Sequence, residues 1–189
     1  MELSGSLLRG ADLSGIVAND LRIVESRLES VDLSGADARG LELRDVEIHE
    51  GSWASMNAAS ARLQRVELRG VRLTGVSLSE ASLADVSFVD CRIDLASFRF
   101  GELLNIRFEG CRLEEADFYE AKLTSVLFSG CDLSRVSLAG ATFVRSELRG
   151  CRLEAVGNPE RLHGVRMPMA DVVQAADVIA AAAGIQIVE

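Results

Sequence analysis

Val71-Arg72-Leu73-Thr74-Gly75-Val76-Ser77-Leu78-Ser79-Glu80-Ala81-Ser82-Leu83-Ala84-Asp85-Val86-Ser87-Phe88 is the stretch on which the fold turns. Leu73, Leu78, Leu83 and Phe88 recur at every fifth residue, and Val71, Val76, Ala81 and Val86 stand two places before them. A helix repeats its apolar stripe every 3.6 residues and a strand every 2.0, so neither accounts for a period of five. Two inward residues at i−2 and i suit a very short extended piece followed by a turn. Such a unit buries nothing alone and must stack on copies of itself.

Extending the register in both directions keeps it intact. All 31 centre positions from Leu3 to Leu153 are apolar, which chance would give with a probability on the order of 10⁻¹⁰ at this composition. The i−2 positions are apolar or small, with Ser6, Ser26, Gly51, Gly101 and Ser146 as the small polar or glycine cases. Neither position carries a charge between residues 1 and 156. Glycine at i+2, as at Gly15 and Gly35, supplies a positive φ to many of the turns.

A second period lies over the first. Cys91, Cys111, Cys131 and Cys151 are spaced by twenty, as are Phe88, Phe108 and Phe128 on one side and Phe98 and Phe118 on another. Each set falls in one interior column if a turn holds four units, and the shared spacing supports four sides per turn. The cysteines are expected to be inert core residues, since a line of thiols cannot converge tetrahedrally on a metal. Trp53, with Gly51 two places before it, is expected to be a local size compensation.

Ala11-Asp12-Leu13-Ser14-Gly15 and Ala116-Asp117-Phe118-Tyr119-Glu120 match the A(D/N)LXX motif, and the chain resembles the pentapeptide-repeat proteins over roughly residues 1–156. The resemblance implies an all-β fold, a right-handed quadrilateral parallel β-helix of nearly eight coils and about 37 Å in length. Residues 157–189 are expected to form a connector, a C-terminal helix and a terminal strand. Val165-Arg166-Met167 is expected to be a last, phase-shifted strand. Pro168 suits the first turn of the helix, Asp171 its positive dipole end and Gly184 its C′ position.

Two surfaces are candidates for contact with other proteins. Val172, Val173, Ala176, Ile179, Ala180 and Ala183 form an amphipathic stripe, joined by Ile185 and Ile187 on the terminal strand. This stripe either caps the open end of the rod or forms the interface of a homodimer as well, as C-terminal helices do in several members of the family. Leu95, Phe100, Leu104 and Tyr119 occupy outward places, where they either fold back over the rod or form an apolar partner patch.

Composition narrows the function. The net charge of −9 and the low aromatic content argue against direct nucleic-acid binding. No apolar run is long enough to span a membrane, and Met1-Glu2-Leu3-Ser4 shows no signal-peptide pattern, so a cytoplasmic protein is expected. No catalytic, cofactor-binding or metal-binding constellation is legible: His49 and His163 stand alone and the carboxylates fall at outward places. A non-catalytic protein-binding solenoid with no cofactor is the expectation.

The family includes the Qnr quinolone-resistance proteins and MfpA, which mimic duplex DNA and bind DNA gyrase or topoisomerase IV. The resemblance in layout implies the same partners, the alternative being an interaction scaffold with an unrelated partner. Against mimicry, residues 1–156 carry 25 acidic and 18 basic groups with no strongly anionic face. Duplex DNA of that length would carry about 22 negative charges.

Overall fold

The computed structural model describes residues 2–188; Met1 and Glu189, at the two ends of the expected regions, lie outside the described residues. Sheet pairing is parallel throughout and offset by twenty residues at every rung. Leu3 pairs with Ile23, Leu43 with Leu63, Leu63 with Leu83 and Leu123 with Phe143. The chain winds as a right-handed four-sided solenoid, with eight rungs on each side. Seven intervals of about 4.8 Å separate the first rung from the last, about 34 Å in all.

The sides are of two kinds. Those centred on the Leu3 and Leu8 columns carry regular strands, which run unbroken round their shared corner in Glu42–His49, Arg62–Arg69 and Ser82–Val89. The other two are held by single bridges such as Asp12 with Asp32 and Ser77 with Ser97. At the tight corners the fourth residue closes a type II turn: the Ala36 N–H donates to the Leu33 carbonyl at 3.1 Å, with Gly35 at φ 67°. Twenty non-glycine coil residues, all at the same place in the five, adopt the same left-handed conformation. Stacking therefore imposes the corner geometry whether or not a glycine stands there.

The interior is a column of paired layers. Phe88, Phe108 and Phe128 stack at centroid spacings of 4.8 Å, and Phe98 on Phe118 at 4.9 Å, with planes within 7° of parallel. The two stacks meet edge to face at 6.1–6.2 Å, an arrangement that suits the ring quadrupole. Trp53 is buried as expected, but Gly51 is small for another reason. Its φ is 90° and an added Cβ would be driven into the carbonyl of Val31 on the preceding rung, so backbone approach sets the requirement.

The segment after the coil closes its last rung. A short 3₁₀ helix, Pro159–Leu162, brings Leu162 against the core, and Arg166 then forms a single bridge with Glu147, donating its N–H to the Ser146 carbonyl and accepting from the Leu148 N–H. This is the phase-shifted strand of the sequence, reduced to one residue of pairing. Asp171 stands in the first turn of the helix that follows, as expected, and has a further role. Gly110 and Gly130 each donate their N–H to the rung above; Gly150 has no rung above, and its N–H donates to Asp171 Oδ2 at 2.6 Å.

The expected single helix is two: α1 (Met169–Gln174) and α2 (Ala176–Ala182), broken at Ala175, with Pro168 as the residue before the first turn. The break turns the inward face. Ala175 and Val178 are buried, with Val172, Ile179 and Ala182 half-buried beside them, whereas Val173, Ala176 and Ala183 of the expected stripe are exposed. Gly184 takes its expected C′ place at φ 71°. The N–H groups of Gly184 and Ile185 bond to Ala181 and Ala180, a Schellman motif. That motif directs the chain away from the solenoid, and residues 185–188 form no strand. No helix of the described residues is long and apolar enough to cross a membrane.

Candidate protein-interaction surfaces

One corner of the solenoid departs from the rest in chemistry though not in backbone. The corner place after the fourth side is occupied in successive rungs by Asp20, Gly40, Ser60, Glu80, Phe100, Glu120 and Gly140, with φ between 53° and 71°. Left-handed φ costs a bulky L-residue roughly 1–2 kcal/mol relative to the right-handed region. Phe100 bears that cost and still leaves 47% of its surface in water. Its ring meets Tyr119 edge to face at 5.4 Å, and the Arg99 guanidinium lies 4.4 Å from the centre of the Tyr119 ring.

Arg99 is held in turn by Asp117, with Nη1 to Oδ2 at 2.7 Å, so the aromatic pair has a fixed cationic lid. The Glu120 carboxylate beside Tyr119 raises the phenol above its ordinary value. Aromatic rings with an arginine, rigid and partly exposed, are the composition enriched at binding hot spots. Sequence reasoning found Phe100 and Tyr119 but passed over Arg99. The signal was available, since Arg99 and Tyr119 are twenty apart and must stack.

Leu95 and Leu104 do not join this cluster. Leu95 sits on the preceding corner, also at left-handed φ, and Leu104 beside the following one; both are exposed, each a full side away from Phe100. At the C-terminal end Met169, Val173, Ile185 and Ile187 are all exposed, Val173 at 68%. Ala180 is half-buried. A groove of about 480 Å³ beside them is lined by Leu162, Val165, Met167, Val172 and Ile179.

The cysteine column offers no chemistry of that kind. Cys91, Cys111 and Cys131 are buried and all four thiols are free; each Sγ lies 3.3–3.5 Å from two backbone carbonyls, as for Cys111 with Phe88 and Glu109. Buried among apolar side chains and turned onto backbone carbonyls, these sulfurs pack the core rather than converge on a ligand. Among the described residues no group of three or more His, Cys, Asp or Glu is placed to hold a metal ion.

A parallel solenoid of five-residue units, closed at its C-terminal end and presenting an aromatic corner, defines a class. Residues 61–138 match the family model for the pentapeptide repeat region, and the same register runs on both sides of that segment. Residues 61–138 are thus a pentapeptide repeat region, and the solenoid continues its register to either side.

Among solved structures it is similar to HetL, a protein of heterocyst differentiation regulation from the cyanobacterium Nostoc, at 22% identity. The match covers 89% of this chain and 88% of that one, with a TM-score of 0.47. Rfr23 from the cyanobacterium Cyanothece matches at 15% identity, 81% and 91% coverage and a TM-score of 0.48. QnrB1, a plasmid-mediated fluoroquinolone resistance protein, matches at 17%, 95% and 99%, with a TM-score of 0.43. Comparison with curated protein sequences gives no match.

Proposed function

We propose that the chain is a non-catalytic protein-binding rod whose contact surface is the Arg99–Phe100–Tyr119 corner. The observation that carries this is the cluster at Phe100: a half-exposed ring packed edge to face on Tyr119, under an Arg99 fixed by Asp117, presents a rigid apolar and cationic surface for a partner to cover. The coil supplies a rigid mount, so little ordering entropy is lost on binding.

DNA gyrase or topoisomerase IV is the first partner to test, on the family resemblance. The ion pairs weigh against mimicry of DNA. Among the described residues fifteen acidic side chains lie within 4.0 Å of an arginine or lysine, often one rung away as in Arg27–Glu47 and Arg65–Asp45, and paired charge makes a weaker anionic field than phosphates do. A supercoiling assay with purified gyrase, with and without a fluoroquinolone, decides it. Inhibition or protection that is lost in Phe100→Gly supports a topoisomerase partner at this corner. No effect at micromolar protein removes that partner and leaves the scaffold reading.

The exposed apolar residues of the C-terminal unit favour a second contact, between two copies of the chain. Val173, Ile185 and Ile187 project from it and a groove lined by Val172 and Ile179 lies beside them, which suits a two-fold, self-complementary interface.

A further inference from the structure

A groove of about 660 Å³ runs along the solenoid axis between the corner at Asn105, Ser125 and Arg145 and the side carrying Arg107, Leu127 and Glu147. Its charge is unlike that of the rest of the coil. In earlier rungs of these same two columns a guanidinium meets a carboxylate one rung away: Arg27 reaches Glu47 at 2.6 Å, and Arg65 reaches Asp45 at 2.5 Å. Here the pattern lapses. Arg107 stacks between Ser87 and Leu127, and Arg145 stands one rung above Ser125, so neither finds a carboxylate. Of the 20 basic residues, only Arg62, Arg72, Arg107 and Arg145 make no ion pair among the described residues, and two of these four line this one groove.

A third arginine is delivered from outside the coil. After the 3₁₀ helix the chain returns one residue out of phase with the twenty-residue period. Arg166 thereby pairs with Glu147, and its side chain lines the groove. Its Nη2 lies 3.2 Å from Glu147 Oε2, but Glu147 is shared with Arg149, so one carboxylate serves two guanidinium groups. The groove lining thus holds three arginines against a single carboxylate, in a chain whose net charge is −9. The Ser125 residue in its floor adds a hydroxyl donor, whereas the Asn105 amide is engaged with Asp85 at 2.5 Å.

We propose that this groove is a binding site for a polyvalent phosphate group of about the size and charge of pyrophosphate, free or carried on a small metabolite. Guanidinium forks match phosphate oxygens in bidentate geometry, and an excess of two positive charges at the lining suits a multiply charged anion. The acidity of the remaining surface disfavours a long polyanion such as duplex nucleic acid, which would extend beyond the groove over carboxylates.

Isothermal titration of the unaltered chain at low ionic strength tests this with sodium pyrophosphate, inorganic phosphate and citrate. Two double variants serve as arms: Arg107→Gln with Arg145→Gln, and Arg62→Gln with Arg72→Gln, which removes the two unpaired arginines that lie elsewhere. None of the four pairs with a carboxylate, so thermal unfolding of both doubles should match the unaltered chain; Arg166→Gln alone replaces the first double if it fails to fold. Pyrophosphate is expected to bind one per chain, at least tenfold more weakly in the groove variant and unchanged in the control. Absence of saturable binding, an equal loss in the two doubles, or citrate or single phosphate bound as tightly as pyrophosphate would each overturn the proposal.

Discussion

Phe108 in the coil lies between Phe88 and Phe128 and has no exposed surface, whereas Val173 in the C-terminal unit leaves two thirds of its surface in water. Both are apolar residues of a periodic segment. In the coil every side chain is placed by neighbours twenty residues before and after it, so one error of phase would be repeated and resisted by all rungs. The C-terminal unit has no such repetition. Its helices are held by contacts that occur once each, such as Asp171 on Gly150 and the burial of Ala175 and Val178, beside Leu162 of the 3₁₀ helix on the core. Regularity makes the coil a rigid mount, and its absence leaves the C-terminal unit with apolar surface to spare.

The largest expected effect falls within the coil. Phe108→Ala removes a ring from the centre of the stack and should cost about 3–5 kcal/mol, read by denaturant unfolding, because the rungs on either side cannot collapse into the gap. A loss under about 1 kcal/mol would mean that the stack is not held by its neighbours. Asp171→Ala, on the other side of the boundary, leaves the Gly150 N–H without its acceptor. A cost of about 1 kcal/mol is expected, with hydrogen exchange at Gly150 accelerated. Unchanged exchange there would show that Asp171 does not close the coil.

A smaller effect, of opposite sign, is expected at Asp94. Burial raises its carboxyl above the ordinary value of 3.8, and Arg112 and Arg92 pull it only partly back. The folded state then holds more protons than the unfolded state just above that value, so stability from this group is present at low pH and lost as pH rises through the folded value. Asp94→Asn should therefore stabilise the chain at neutral pH, and the gain should vanish below about pH 3.8, the unfolded value. A gain independent of pH would contradict the assignment. Least of all for stability, Val173→Asp with Ile187→Asp should shift unfolding by less than about 0.5 kcal/mol, since both are exposed. Sedimentation should find a dimer for the unaltered chain and a monomer for this variant. A monomer in both cases would end the dimer proposal.

What was legible in the sequence divides along the same boundary. The period of five, with its overlay of twenty, places Phe88, Phe108 and Phe128 in one column and supports four sides, because each position is determined many times over, while the parallel coil is what the family resemblance implies. The corner at Phe100 and Tyr119 was legible for the same reason. That Leu95 and Leu104 lie apart from it depends on which corner each one occupies, and an outward place in the five does not convey that distance. The C-terminal unit was read less well. The break at Ala175 follows from packing on the last rung and the 3₁₀ helix, not from any helix breaker in the sequence. Ile185-Gln186-Ile187-Val188 alternates like a strand, but the Schellman motif at Gly184 directs it away from the sheet. Arg166 could not be placed in the groove with Arg107 and Arg145 without the one-residue phase shift after the coil.

The Phe100 corner bears the functional claim, and Glu80 on the rung before it is the natural control, with the same backbone and a different side chain. Site-specific photo-cross-linking with a benzoylphenylalanine at position 100 or at position 80 compares them directly in the cell that makes the protein. The account predicts a discrete cross-linked protein species from position 100, absent from position 80 and diminished when Tyr119→Ala is added. Equal cross-linking at the two positions, or none at position 100, would contradict it.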